Sequence, residues 1–200
     1  MQQDSHLIIF VKNPVLGKVK TRLAAGIGEK KALEVYLHLL EITKNVALKS
    51  DCTRNVFYSD EIENDGWDKD SFNKFEQEGD SLGDRMNNAF EQVFALGAKK
   101  AVIIGSDCPE LSADIIEKAF EILNEKDVVI GPAKDGGYYL IGMKKLYPVL
   151  FEGKKWSTAS VLQETINDII EKDLSYSLLP ELSDLDNLDD LKHSQLNFPE

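Results

Sequence analysis

Ala101 to Pro109 reads AVIIGSDCP. Four apolar residues in a row, three of them β-branched, predict a strand buried on both faces, as in the interior of a parallel sheet. Gly105 and Pro109 stop it. Asp107 then emerges at the carboxyl end of the strand, where open α/β sheets bind their ligands. A second stretch, Val128 to Gly142 (VVIGPAKDGGYYLIG), repeats the order of strand, turn and aspartate, and sets Asp135 before a Gly-Gly pair.

Working outward, His6–Val11 is a buried strand broken by Lys12-Asn13-Pro14 into a loop that reaches about Leu23. Apolar positions from Leu33 to Leu48 predict a helix over Glu29–Lys49. Asn55–Tyr58 and Phe72–Gln77 are short strands separated by an acidic loop around Gly66. Ser81 is placed to cap a helix with Asp84 in the capping-box position; Met86, Ala89, Phe90, Val93 and Phe94 share one face, and Gly97 ends it. Ser112 caps a helix through Leu123, and Val128–Gly131 and Tyr138–Met143 flank the Asp135 turn. A helix follows Trp156-Ser157 to about Ile170, then a strand at Tyr176–Leu179 and a short helix at Leu188–Leu191. Strands alternating with helices predict an α/β fold with a mostly parallel sheet and helices on both faces, in a single domain over residues 1–200.

The net charge of −12 excludes a general nucleic-acid or anionic-membrane surface, which needs a basic field. A polyanionic ligand must therefore meet a local basic cluster. From Ser5 to Gly28 there is no acidic residue, and Lys12, Lys18, Lys20 and Arg22 all fall there. Cys52 and Cys108 are too few for a disulfide framework, no apolar run nears the ~20 residues of a membrane span, and Met1–Asp4 does not begin a signal peptide. The expected compartment is the cytoplasm.

An aspartate at a strand end can hold Mg²⁺ or Mn²⁺ through oxygen, and Asp107 can equally cap its own turn. Asp135 lies in an Asp-Gly turn, itself a strong hairpin signal, where Gly136 and Gly137 allow close backbone approach to a ligand. In the loop after the first strand, lysines supply point charges and Arg22 can grip two oxygens of a di- or triphosphate. Its ending is not that of a P-loop. Near the C-terminus, Asp189 and Asp190 suit a helix start, while Asp184 or Asp186 completes a metal site if the chain returns to the sheet edge. The histidines neighbour no nucleophile motif, and Cys108 beside Asp107 is expected to have a raised thiol pKa.

Taken together, F-V-K-x-P-x-x-G-x-V-K-T-R-L, Q-x-G-x-S-L-G-D-R-M, I-G-S-D-C-P-x-L and G-P-A-x-D-G-G-Y-Y-L-I-G resemble a bacterial family of uncharacterised GT-A-fold proteins known as glycosyltransferase-like or nucleotide-diphospho-sugar transferase-like. The layout is also similar to phospholactate guanylyltransferases and, more distantly, molybdopterin nucleotidyltransferases. The resemblance implies a Rossmann-like three-layer α/β/α sandwich binding a nucleotide or nucleotide-sugar donor, a small-molecule acceptor, and Mg²⁺ or Mn²⁺ at Asp107 with Asp184 or Asp186. It further implies catalytic work by Lys20, Arg22, Asp107 and Asp135, and substrate contacts from Lys12, Lys18, Gly83, Arg85, Gly136, Gly137 and Tyr138. Two departures stand out: the Gly-rich loop of many nucleotidyltransferases is replaced by a lysine-rich one, and Ser-Asp-Cys stands where glycosyltransferases carry Asp-x-Asp. The expected reaction is metal-dependent transfer from a nucleotide-activated sugar donor. Its rivals are nucleotidyl transfer from an NTP with release of pyrophosphate, and a nucleotide-binding module without turnover.

Overall fold

The structure, a computed structural model, describes residues 4–194 and 196. The expectation for Met1–Gln3 therefore lies outside the described residues. Seven strands form one sheet: β1 (Ser5–Val11), β2 (Thr53–Tyr58), β3 (Asn73–Glu76), β4 (Lys100–Ile104), β5 (Val128–Pro132), β6 (Tyr138–Met143) and β7 (Tyr176–Leu178). Their spatial order is β3-β2-β1-β4-β6-β5-β7. β6 runs antiparallel to β4 and β5, and the other pairings are parallel.

Strands in the middle of a sheet covered by helices on both faces must be apolar on both faces, which is why β1 and β4 read as continuous apolar runs. Leu7, Ile8, Ile9, Val102 and Ile104 are completely buried. Full burial of one such side chain contributes about 1.5–3 kcal/mol. On one face the sheet packs against α2 (Glu29–Lys49) and α4 (Ala113–Ile122) through Ala47, Ile116, Ala119 and Phe120. On the other it packs against α3 (Leu82–Ala95) and α5 (Val161–Glu171) through Met86, Phe90, Val93 and Ile169. This is the three-layer α/β/α sandwich.

The predicted boundaries of α2, α3, α4 and β6 agree with the structure to within about two residues. Three expectations are corrected. Thr21–Ile27 forms a helix, α1, inside and beyond the span expected to be loop. The helix after Trp156 starts only at Val161, because Ser157 sits at φ 62°, outside helical space. The final helix, α6, runs on to His193.

From β1 the chain moves outward to β2 and β3, then crosses back to place β4 on the other side of β1. The carboxyl ends of β1 and β4 thus diverge into a crevice at the switch in strand order. The loop after β1 and the Ser106-Asp107-Cys108 turn after β4 face each other there.

Candidate phosphate-binding site

The backbone around the crevice is held by identifiable local causes. Past β1, Lys18 N donates to Val15 O at 3.0 Å, closing a turn in which Gly17 takes φ 76°, a value glycine adopts without steric cost. Buried Asn13 fastens the root of this loop, its amide donating to Glu61 O at 2.8 Å and to Glu63 Oε1 at 2.7 Å. Tyr36 of α2 fastens it from below. The Tyr36 hydroxyl accepts the Lys12 N–H at 2.7 Å, donates to Lys12 O at 3.0 Å, and lies 3.4 Å from Ser106 Oγ. It therefore ties the end of β1 to the turn after β4, and burial raises its pKa. Nothing in the spacing of α2 distinguished Tyr36 from an ordinary core aromatic.

The C-terminal segment does return to the sheet edge. Leu182 bridges Ala133 beyond β5, and Leu185 N donates to Asp107 O at 2.8 Å. Asn187 then caps α6 (Leu188–His193) in a capping box, and the Asp190 carboxylate accepts the N–H of Asp186 at 2.8 Å and of Asn187 at 2.9 Å. This cap orients the Asp186 backbone, so Asp190 has a capping role while Asp186 faces the crevice.

At the centre lies Lys20, its side chain only 4% exposed. Its ammonium meets Asp107 Oδ1 at 2.5 Å, Leu185 O at 2.6 Å and Asp186 Oδ1 at 3.3 Å. Arg22, 72% exposed, reaches the other oxygen of Asp186 at 2.6 Å. Asp184 is half-buried nearby, and its carboxyl is pushed up to about 7 by burial and by the charges of Asp107, Asp135 and Asp186. Lys12, Lys18, Lys20, Thr21, Arg22, Tyr36, Asp107 and Asp186 line a cavity of about 100 Å³. Lys12 and Lys18 are exposed and have no ion-pair partner among the described residues. A cavity of about 490 Å³ adjoins it across Asp184 and Leu185, walled by Glu110, Lys134 and His193.

Of the expected residues, Lys12, Lys18, Lys20, Arg22, Asp107 and Asp186 are thus brought together, with Asp184 and Asp135 close enough to feel one another's charge. Asp135 spends one oxygen on the Gly137 N–H at 2.8 Å, and the turn it heads does join antiparallel β5 and β6. Gly136 is needed for packing: φ is 88°, and a Cβ there would come within 2.3 Å of Ala159 O.

Four expectations are placed elsewhere. Gly83 packs under Trp156 and Phe151, where a Cβ would lie 2.5 Å from Phe151 O. Arg85 Nε donates to Gly79 O at 3.1 Å, and neither residue lines the cavity around Lys20. The Tyr138 hydroxyl is buried in the layer between the sheet and α5. The raised pKa of Cys108, about 12, comes from burial first and from Asp184, rather than from adjacent Asp107.

Hard carboxylate oxygens are the donor set a divalent cation takes. Asp107 and Asp186 converge on one point, and that point already holds a positive charge, so the pair fits the role of cation ligands. Among the described residues, no group of three or more Asp, Glu, His or Cys side chains is gathered as a finished metal site. No helix among them is long and apolar enough to cross a membrane.

Comparison with known proteins agrees with this fold. A crystal structure from Desulfovibrio desulfuricans G20, described as a candidate nucleotide-diphospho-sugar transferase, is 33% identical, with a TM-score of 0.88 over 95% of this chain and 85% of that one. The 2-phospho-L-lactate guanylyltransferase of Methanocaldococcus vulcanius is 27% identical over 153 residues, 74% of this chain but 66% of that protein, just under two-thirds of its length. A Mycobacterium tuberculosis H37Rv protein solved with manganese shares the fold at 13% identity, with a TM-score of 0.51 over 96% of this chain and 97% of that one. The architecture is that of nucleotidyltransferases and nucleotide-sugar transferases. With residues 42–158 matching its pattern, more than half of its length, the chain belongs to the bacterial family described as uncharacterized protein conserved in bacteria, DUF2064.

Proposed function

We propose that the chain transfers a group from a nucleotide-activated donor, with the donor's phosphates held between the basic loop and Asp107. The observation that carries this reading is the convergence of Lys12, Lys18, Lys20 and Arg22 on one cavity that also contains Asp107 and Asp186, in a protein of net charge −12. Asp107 and Asp186 answer Lys20 and Arg22, which leaves Lys12 and Lys18 without an ion-pair partner among the described residues, and phosphate oxygens match both lysine point charges and the arginine fork.

Asp107 and Asp186, with Asp184 beside them, would hold a divalent cation. When bound, that ion neutralises phosphate oxygens and stabilises the charge that builds on them as the bond breaks. Lys12 and Lys18, exposed and unpaired, meet the phosphates first. Arg22 orients them from the rim. Tyr36 keeps the loop at a fixed height above Ser106, so the backbone that carries Lys12 is in place before the ligand arrives. The acceptor enters from the adjoining cavity of about 490 Å³, a volume typical of small-molecule pockets.

Two reactions fit this arrangement. Nucleotidyl transfer is favoured by the number of cations, which suits a triphosphate and its pyrophosphate leaving group. Glycosyl transfer is favoured by the likeness to the Desulfovibrio protein. A thermal-shift panel of NTPs and NDP-sugars, with and without Mg²⁺ or Mn²⁺, tests both. A ligand at a hundred times its Kd adds about 2.7 kcal/mol of stability. Stabilisation by one NTP with metal supports nucleotidyl transfer, and stabilisation by an NDP-sugar alone supports glycosyl transfer. No shift with any nucleotide overturns the proposal.

A further inference from the structure

We infer that Lys20 is the resident counter-cation of the Asp107–Asp186 pair, and that a divalent cation enters only when the phosphates of a ligand draw the ammonium away. This rests on the reading of Asp107 and Asp186 as metal ligands, and it gives Lys20 a role that neutralisation of phosphate does not include.

An ammonium has three N–H donors. Those of Lys20 have three acceptors, at 2.5 Å on Asp107, 2.6 Å on Leu185 O and 3.3 Å on Asp186. None is left for a phosphate. The pose is also closed to water, with the side chain 4% exposed. Mg²⁺ binds carboxylate oxygen at about 2.0–2.1 Å, so an ion that bridges Asp107 Oδ1 and Asp186 Oδ1 takes the place the ammonium now fills between them, and one displaces the other. A bare cation must evict a buried charge that has nowhere to go. A phosphate group offers that charge a new anionic partner in the same move.

The backbone carries a second sign of a held position. Lys20 sits at φ 49° and ψ 43°, the left-handed region that non-glycine residues seldom occupy, directly before α1. Residues kept in such conformations cluster at switch regions and ligand clamps. Lys12 and Lys18, free of ion pairs among the described residues, are placed to collect phosphates without disturbing Lys20 first. The consequence is coupling: phosphate and metal each raise the affinity for the other by the same factor.

Arg22 provides the control, because it carries the same unit charge to the same Asp186 but from the exposed rim, at 2.6 Å. The experiment titrates Mn²⁺ alone into the wild-type chain, Lys20→Met and Arg22→Met, reading free Mn²⁺ by electron paramagnetic resonance. Lys20→Met is expected to bind Mn²⁺ on the order of tenfold more tightly than wild type, and Arg22→Met to change much less. Equal tightening by both variants reduces the effect to net charge and overturns the inference. So does a Lys20→Met affinity no higher than wild type, and in that case wild-type Mn²⁺ binding leaves the metal reading intact. If no form binds Mn²⁺ with or without inorganic pyrophosphate, the metal reading itself fails. Lys20→Gln, which keeps a donor for Leu185 O, replaces Lys20→Met if the latter does not fold. The wild-type chain is a further test: pyrophosphate must raise its Mn²⁺ affinity beyond that of Mn²⁺ for free pyrophosphate, and simple additivity overturns the inference.

Discussion

Tyr36 shows how much of the site depends on one oxygen. Its hydroxyl satisfies both backbone groups of Lys12 and lies within 3.4 Å of Ser106 Oγ, all under a ring that is 2% exposed. Tyr36→Phe removes no packing but leaves the Lys12 N–H without its acceptor, an omission that costs about 1–3 kcal/mol. Chemical denaturation should show that loss together with weaker nucleotide binding; a variant as stable as wild type would mean the hydroxyl is dispensable. Sequence could not single this residue out, because a tyrosine on the inner face of an amphipathic helix looks like any core aromatic. Asp107 was legible for the opposite reason: Gly105 and Pro109 bracket it at the end of an apolar run, and a polar residue there must face the crevice. The choice between Asp184 and Asp186 was not legible. Both lie one residue from Leu185, and only the Leu185-to-Asp107 hydrogen bond decides how each is presented.

At the level of elements, turns and caps carry the functional groups. The capping box of α6 holds the backbone of Asp186 through Asp190, with Asn187 Oδ1 accepting from Asp189 N at 2.8 Å and Asp190 N at 3.1 Å. Asn187→Ala should therefore cost about 1 kcal/mol and weaken ligand binding as well, by loosening Asp186; calorimetry reads both, and a stability loss without a change in affinity would separate the cap from the site. The Asp-Gly-Gly turn offers an internal contrast. Gly136→Ala forces a Cβ against Ala159 O at φ 88°, whereas Gly137→Ala meets only Asp135 Oδ1 at 3.2 Å. The first should lower the melting temperature markedly and the second little, and equal effects would refute the packing argument.

Sequence missed α1 because seven residues with a glycine at position 26 span too few turns for a periodicity, and no side chain caps its start. Antiparallel β6 also hides from the sequence where its following loop goes. Because β6 is antiparallel, that loop leaves the sheet at the end away from Asp107, where Lys144 N bonds Asp127 O, and only Phe151 and Trp156 return to meet Gly83. Residues 59–63 attach to Asn13, on the β2 side. Direction of a strand is a tertiary property, and alternation of apolar residues does not report it.

Across the whole molecule, charge and topology act together. Strand order opens the crevice between β1 and β4, and the acid-free segment from Ser5 to Gly28 brings its cations to that crevice. The remaining acids shape how stability varies with pH. Asp127 joins β5 to the start of β7, accepting from Ser175 N at 2.9 Å and Ser175 Oγ at 2.6 Å, and these bonds hold its carboxyl down at about 2. With a folded pKa below the unfolded value of about 3.9, its contribution is complete above pH ~4 and is lost as pH falls toward 2. Asp127→Asn should therefore destabilise the chain at pH 7 and nearly cease to do so near pH 2; a pH-independent difference would contradict the assignment. The central claim, that Asp107 and its cation partners form a metal-dependent phosphate site, meets its most direct test in isothermal titration of the stabilising nucleotide into wild type and Asp107→Asn, each with and without Mg²⁺. Wild type is expected to bind far more tightly with Mg²⁺, and Asp107→Asn, still folded by its melting curve, to lose that dependence. Metal-dependent binding that survives unchanged in folded Asp107→Asn would contradict it.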